Sequence, residues 1–140
     1  QIAALLQADP VHVHIHDMCT EGKVLMVKAL LMQGCPVNYK DERSGSNSES
    51  PLFCACAAGK LDVAKVILAT QGVLLDQPDK RGRTPLMVAA GCGALDITAL
   101  LLAGGCNRNA MDEQGENAKD YAYAHGIGTR MAFMSQLLMR

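Results

Sequence analysis

Arg83-Thr84-Pro85-Leu86-Met87-Val88-Ala89-Ala90-Gly91-Cys92-Gly93 is the stretch that decides how this chain folds. Thr84 followed by Pro85 reads as a helix start. The hydroxyl can accept from free backbone N–H groups, and proline at the first helical position gives up a donor that had no partner there. The small apolar run that follows lets a neighbouring helix approach closely. The same pattern recurs. Pro51-Leu52-Phe53-Cys54-Ala55-Cys56-Ala57-Ala58-Gly59-Lys60 follows Ser50, and His14-Ile15-His16-Asp17-Met18-Cys19-Thr20-Glu21-Gly22-Lys23 precedes it. Ala118-Lys119-Asp120-Tyr121-Ala122-Tyr123-Ala124-His125-Gly126-Ile127 is a weaker copy. The terminal glycines at 22, 59, 93 and 126 are 37, 34 and 33 residues apart, so a unit of about 33 residues repeats, with insertions early in the chain.

Each window leads into a second helical pattern, Val24 to Gln33, Leu61 to Thr70 and Leu95 to Gly104. Apolar residues recur there at helical spacing: Val63, Val66 and Ile67 in one, Ile97, Leu100 and Leu101 in the next. Gly34, Gly72 and Gly105 follow as left-handed caps. Short polar segments near Asn38, Asp76 and Asn109 read as turns. One helix pair cannot bury its apolar stripe alone, so the pairs must stack and share a core.

The segment from Arg83 to Gly93 resembles the ankyrin signature, with Met87 where His is usual. Asp79-Lys80-Arg81-Gly82 is similar to the start of that repeat, and Gly34-Cys35-Pro36-Val37-Asn38 and Gly105-Cys106-Asn107-Arg108-Asn109 to its hairpin end. Gly115-Glu116-Asn117-Ala118-Lys119-Asp120-Tyr121-Ala122 resembles a final repeat with Ala in place of the helix-starting Pro. The resemblance implies an all-α solenoid of about four helix-turn-helix repeats with finger loops. The units are approximately 13–40, 41–78, 79–111 and 112–140, within a single domain over 1–140. Residues 1–12 form an N-terminal cap, in which Ile2 to Leu6 read as an amphipathic segment ended by Asp9-Pro10. Met131, Phe133, Leu137 and Leu138 are expected to close the other end of the core.

Two departures mark the second unit. The stretch from Asp41 to Pro51 is four residues longer than its counterpart from Asp79 to Pro85, and its Ser-rich composition predicts a mobile finger. A one-residue insertion near Ala69 to Gln71 extends the outer helix or its cap.

Composition narrows the function. In 140 residues, 13 Lys and Arg stand against 14 Asp and Glu, which gives no bulk attraction to nucleic acid or anionic lipid. There is no Trp and there are only two Phe and three Tyr, too few for a base-stacking platform. The longest apolar runs fall far short of the ~20 residues needed to span a bilayer. Gln1 in place of an initiating Met reads as a start removed by processing, and no signal-peptide pattern is present.

Six cysteines could form three disulfides, but the repeat register separates them. Cys19, Cys56 and Ala90 hold equivalent positions in stacked helices ~8–10 Å apart, beyond disulfide reach. The cysteines therefore read as small buried hydrophobes, with Cys92 on the exposed end of an inner helix and open to oxidation as an alternative. The lack of a disulfide framework points to a reducing, cytoplasmic setting, the alternative being an exported chain with buried thiols. His12, His14 and His16 could hold a metal in a strand or, for His12 and His16, on a helix. The register instead places them on a polar capping face, so no metal is expected, and no cofactor motif is present. No nucleophile elbow, phosphate loop or zinc-protease motif occurs, which argues against an enzyme.

What remains is a binding surface. The resemblance implies that a protein partner lies in a groove of fingers and inner helices, in a one-to-one complex. By position, the finger residues are Asp41, Glu42, Arg43 and Asn47, then Lys80, Arg81 and Arg83, then Glu113, Gln114 and Glu116. The inner-helix ends are Thr20 and Glu21, Ala57 and Ala58, Gly91 and Cys92, and Ala124 and His125. The middle finger is basic and the last acidic, so a partner should carry complementary charge. The floor is small and nearly uncharged. Tyr39, Tyr121 and Tyr123 have no fixed orientation from sequence. The expected function is regulation or inhibition of a partner enzyme by covering its active site. The alternatives are a structural scaffold and a metal- or redox-responsive sensor.

Overall fold

Ser50 and Thr84 open their helices as their sequence predicts. In the computed structural model, the Ser50 hydroxyl accepts from the Phe53 amide at 3.1 Å and the Thr84 hydroxyl from the Met87 amide at 3.4 Å. The Met87 sulfur in turn accepts from the Thr84 amide at 3.4 Å, so the residue standing in place of His still closes a reciprocal cap. The structure describes residues 11–125, 134 and 136–139, with 11–14 and 125 by backbone alone.

Seven helices have both ends among the described residues: α1 Val11–Glu21, α2 Val24–Met32, α3 Pro51–Ala58, α4 Leu61–Leu68, α5 Pro85–Gly91, α6 Leu95–Ala103 and α7 Ala118–His125; residues 134 and 136–138 are helical as well. Odd-numbered helices form an inner layer and even-numbered ones an outer layer; helices pack on their neighbours in the same layer, and α1, α3 and α5 also pack on their outer partners α2, α4 and α6. The outer helices stop one or two residues before the sequence estimate. The inserted residue near Ala69 goes into the cap of α4, where the Thr70 amide donates to the Ile67 carbonyl at 3.0 Å, and does not lengthen the helix.

The core is one continuous cluster. Ile15, Leu30, Leu52, Ile67, Leu86, Ile97 and Leu101 are essentially sealed from solvent, each contributing about 1.5–3 kcal/mol by burial. Alanines and cysteines fill the inner-layer contacts, with Cys19, Ala55, Cys56, Ala89, Ala90 and Ala122 all buried. Leu138 is buried as expected and Leu137 half-buried, while residues 1–10 of the proposed cap over 1–12 and the residues Met131 and Phe133 lie outside the described residues.

One histidine corrects the sequence reading. His16 is buried, and its Nε2 lies 2.7 Å from the Tyr39 carbonyl oxygen. It occupies the register of Phe53 and Met87, which points into the stack, so it belongs to the core and not to a polar capping face. The side chains of His12 and His14 lie outside the described residues.

The polar turns stitch repeats together. Asn38 donates to the Gly72 carbonyl and accepts from the Leu74 amide, both at 2.8 Å, and Asp76 accepts from the Asn107 amide at 2.8 Å. These bonds fix the spacing of successive units just ahead of the fingers, where each outer helix hands over to the next finger.

Candidate functional site: the finger groove

The fingers share one device. Asp41, Asp79 and Asp112 each begin a finger with an amide donating to a carbonyl further along, at Glu49, Arg83 and Glu116 respectively. That pairing spans eight residues in the first finger and four in the others, which is the four-residue insertion expressed as geometry. Each carboxylate then folds back on its own turn. Asp79 Oδ1 accepts from the Arg81 and Arg83 amides, and Asp112 Oδ1 from the Gln114 and Glu116 amides, all at 2.9 Å. Neighbouring fingers are also joined: the Lys80 amide donates to the Asn47 carbonyl at 2.8 Å and the Glu113 amide to the Arg81 carbonyl at 3.0 Å. Gly82 makes the second contact possible, since a Cβ there would meet the Glu113 nitrogen at 3.1 Å.

Between the middle and last fingers lies a polar concavity of about 400 Å³. Arg81 and Arg83 form one wall, Glu113, Gln114 and Glu116 the other, with Asp112 and Tyr121 behind. The sequence treated these as two separate fingers; the structure brings them face to face. Among the described residues no ion pair crosses the space. Arg83 is instead held from behind, its Nε donating to Asp79 Oδ2 at 2.8 Å and its guanidinium carbon 5.4 Å from the Phe53 ring centre. Lys80 and Arg81 are exposed, and the Lys80 ammonium donates to the Ser46 carbonyl of the first finger at 3.3 Å. Tyr121 donates its hydroxyl to Asp112 Oδ2 at 2.5 Å, which is the leading reason the Asp112 carboxyl sits below the usual carboxylate range. Burial, and then that same carboxylate, push the Tyr121 phenol upward.

The first finger uses its charges differently. Asp41 is buried, and Arg43 grips it at 2.7 Å while reaching across to Asp17 on α1 at 2.8 Å. Arg43 holds the Asp41 carboxyl below its ordinary range, chiefly through that hydrogen bond. Asp41 therefore frames the finger and offers no free charge to a partner. The finger expected to be mobile is internally laced: Ser46 Oγ donates to the Asp41 carbonyl at 2.5 Å, and the Asn47 amide donates to the Glu49 carboxylate. Glu42 stays exposed and Asn47 is half-buried.

Thr20, Glu21, Ala57, Cys92 and Ala124 are exposed, and Ala58 and Gly91 half-buried. His125 ends α7, but its side chain lies outside the described residues. Five cysteines are buried free thiols and Cys92 alone is exposed. Burial pushes the Cys54 thiol up to about 12 and those of Cys35 and Cys106 up to about 11. Among the described residues no group of three His, Cys, Asp or Glu side chains is placed to hold a metal, and no helix is long and apolar enough to cross a membrane.

Sequence reasoning missed one residue of the concavity, Asp112, and left another, Tyr121, as one of three tyrosines without an orientation. Asp112 was legible as the counterpart of Asp79. Tyr121 occupies the register of Cys54 and Val88, where a lone phenol among small apolar residues was the available signal.

A sequence model of ankyrin repeats in three copies matches residues 15–126. The chain is 40% identical over 93 residues to the ankyrin repeat and KH domain-containing protein mask of Drosophila melanogaster, covering 66% of this chain and 2% of that protein. It is 31% identical over 111 residues to mouse ankyrin repeat domain-containing protein 37, covering 79% of this chain and 67% of that one. Human ankyrin repeat domain-containing protein 63 is 32% identical over 107 residues, 74% of this chain and 27% of its own length. The chain thus spans very different shares of the relatives it matches.

Proposed function

This chain belongs to the ankyrin-repeat family, whose repeats are generally protein–protein interaction modules, and on that premise we propose that its concave face docks a single protein partner without catalysing a reaction or holding a cofactor. The observation that carries this reading is the pairing of a basic wall, Arg81 and Arg83, with an acidic wall, Glu113 and Glu116, across an open polar concavity. Charges held by the turns and not neutralised across the gap are preorganised, so little ordering cost falls on binding. The partner carries acidic groups toward Lys80 and Arg81 and basic groups toward Glu113 and Glu116. The groove floor of Ala57, Gly91, Cys92 and Ala124 admits a bulky element of that partner.

The finer form of the proposal is occlusion: the fingers cover the active-site cleft of a partner enzyme and regulate it. A scaffold role is the second reading, favoured by the Drosophila relative, where the matching repeats make up 2% of a far longer protein.

Capture from native extract tests both. Lys80→Glu with Arg81→Glu should lose a protein that wild type retains, while Asp62→Lys with Asp96→Lys on the outer helices should keep it. Equal retention by both variants would refute the groove reading. Lost activity of the captured enzyme in complex supports occlusion; unchanged activity supports the scaffold. Arg83 is left in place because it also neutralises the buried Asp79 carboxylate.

A further inference from the structure

The first outer helix carries a face that its sisters lack. Leu25 of α2 stands in the register where α4 has Asp62 and α6 has Asp96. Met32 stands where they have Ala69 and Ala103. Every one of these positions faces solvent in all three helices. Leu25 is 82% exposed and Met32 80% exposed. A further repeat stacked ahead of α1 would not cover them, because Asp62 and Ala69 stay exposed although a repeat precedes theirs. The face is therefore not an end of the stack waiting for its neighbour; it looks outward from the convex side.

Beside it lies an apolar trough of about 430 Å³ between α2 and α4, lined by Leu31, Met32, Val66 and Ala69. Lys28 and Lys65 also line it, and no carboxylate does. Both lysines are exposed, so their ammonium groups rim an apolar floor.

We propose that this convex trough is a second docking site, distinct from the finger groove, and that its occupant is an amphipathic helix of another protein, apolar on one face and flanked by Asp or Glu. An apolar floor takes a helix through side chains at i, i+3, i+4 and i+7, and the two lysines select acidic flanks. A second copy of this chain is the poorer occupant, because a two-fold pairing of the trough would set lysines against lysines.

The probe is a fluorescein-labelled synthetic helix of about four turns, with Leu at i, i+3, i+4 and i+7 and Glu at its flanks, read by anisotropy against the whole chain. Leu25→Asp with Met32→Ala installs the residues of the sister helices, so the fold is expected to hold, and thermal unfolding checks it. Wild type should bind saturably. The double variant and Lys28→Glu with Lys65→Glu should each bind about tenfold more weakly or worse. A Lys-flanked version of the peptide should not bind wild type. No binding by wild type, equal binding by the double variant, or equal binding of the Lys-flanked peptide would overturn the proposal. So would a sedimentation dimer that dissociates in the double variant, which assigns the face to a second copy. Flotation with phosphatidylserine vesicles, lost in the double variant and without peptide binding, would assign it to lipid.

Discussion

The first and middle fingers are built on the same aspartate and end in opposite roles. Asp41 and Asp79 each anchor a turn, and each pairs with an arginine of its own finger. In the first finger the insertion carries Arg43 to a place where it also reaches Asp17 on α1. Its charge is consumed in tying the finger to the stack. In the middle finger Arg83 serves Asp79, while Lys80 and Arg81 sit exposed at the tip with no carboxylate partner among the described residues, Lys80 donating only to the neutral Ser46 carbonyl at 3.3 Å. Charge counted along a sequence thus says little about charge on offer; what matters is which cation the turn has already engaged.

The largest expected effect lies in the shared anchor. Asp79→Ala removes a buried carboxylate that accepts two turn amides and pairs Arg83, so urea unfolding should show a loss of about 3 kcal/mol. A loss under about 1 kcal/mol would show that the finger carries its own fold. Next, Arg43→Ala should cost about 1–2 kcal/mol, reduced by the exposure of that guanidinium, and leave partner capture intact. Lys80→Glu with Arg81→Glu should do the reverse, abolishing capture while shifting stability by under about 0.5 kcal/mol. If Arg43→Ala also abolished capture, the contrast between the fingers would fail.

A smaller effect sits in the first finger's backbone. Ser48 has φ 58°, in the position where the other fingers place Gly82 at 77° and Gly115 at 78°. Ser48→Gly should stabilise by about 0.5–1 kcal/mol, since only glycine takes that region without Cβ strain.

Acid should loosen the first and last fingers. The carboxyls of Asp41 and Asp112 are held below their ordinary values, by Arg43 and by Tyr121 respectively. Their stabilisation is complete above the unfolded carboxylate value near ~3.9 and fades as pH falls through the lower folded values. Tyr121→Phe should flatten the acid limb of the stability profile, and an unchanged limb would deny the Tyr121–Asp112 bond its part.

Much of this architecture was legible because repeats check one another. Thr84-Pro85, the recurring glycines and the small inner-helix residues each predicted a local feature that the structure contains. The repeat also marked the three finger turns, which begin at Asp41, Asp79 and Asp112. What it could not supply was the direction of individual side chains. His16 was read as a surface residue, although its register partners Phe53 and Met87 are both buried. Asp41 was read as a contact because a carboxylate in a loop is ordinarily solvated, and only the reach of Arg43 in three dimensions shows it to be occupied. The facing of Arg81 and Arg83 against Glu113 and Glu116 depends on how far one repeat rotates on the next, which no single repeat encodes.

Cys92 offers the most direct test of the groove. It is the one exposed thiol, at the C-terminal end of α5 that the groove reading takes as floor, and the five buried thiols should resist alkylation at neutral pH. A benzophenone attached there, on the otherwise unaltered chain, should crosslink the captured partner on illumination. The same group on Ala103→Cys in a Cys92→Ala background, at the exposed end of α6, should not. Partner adducts from position 92 alone are the result this account predicts; adducts from position 103, with none from 92, would contradict it.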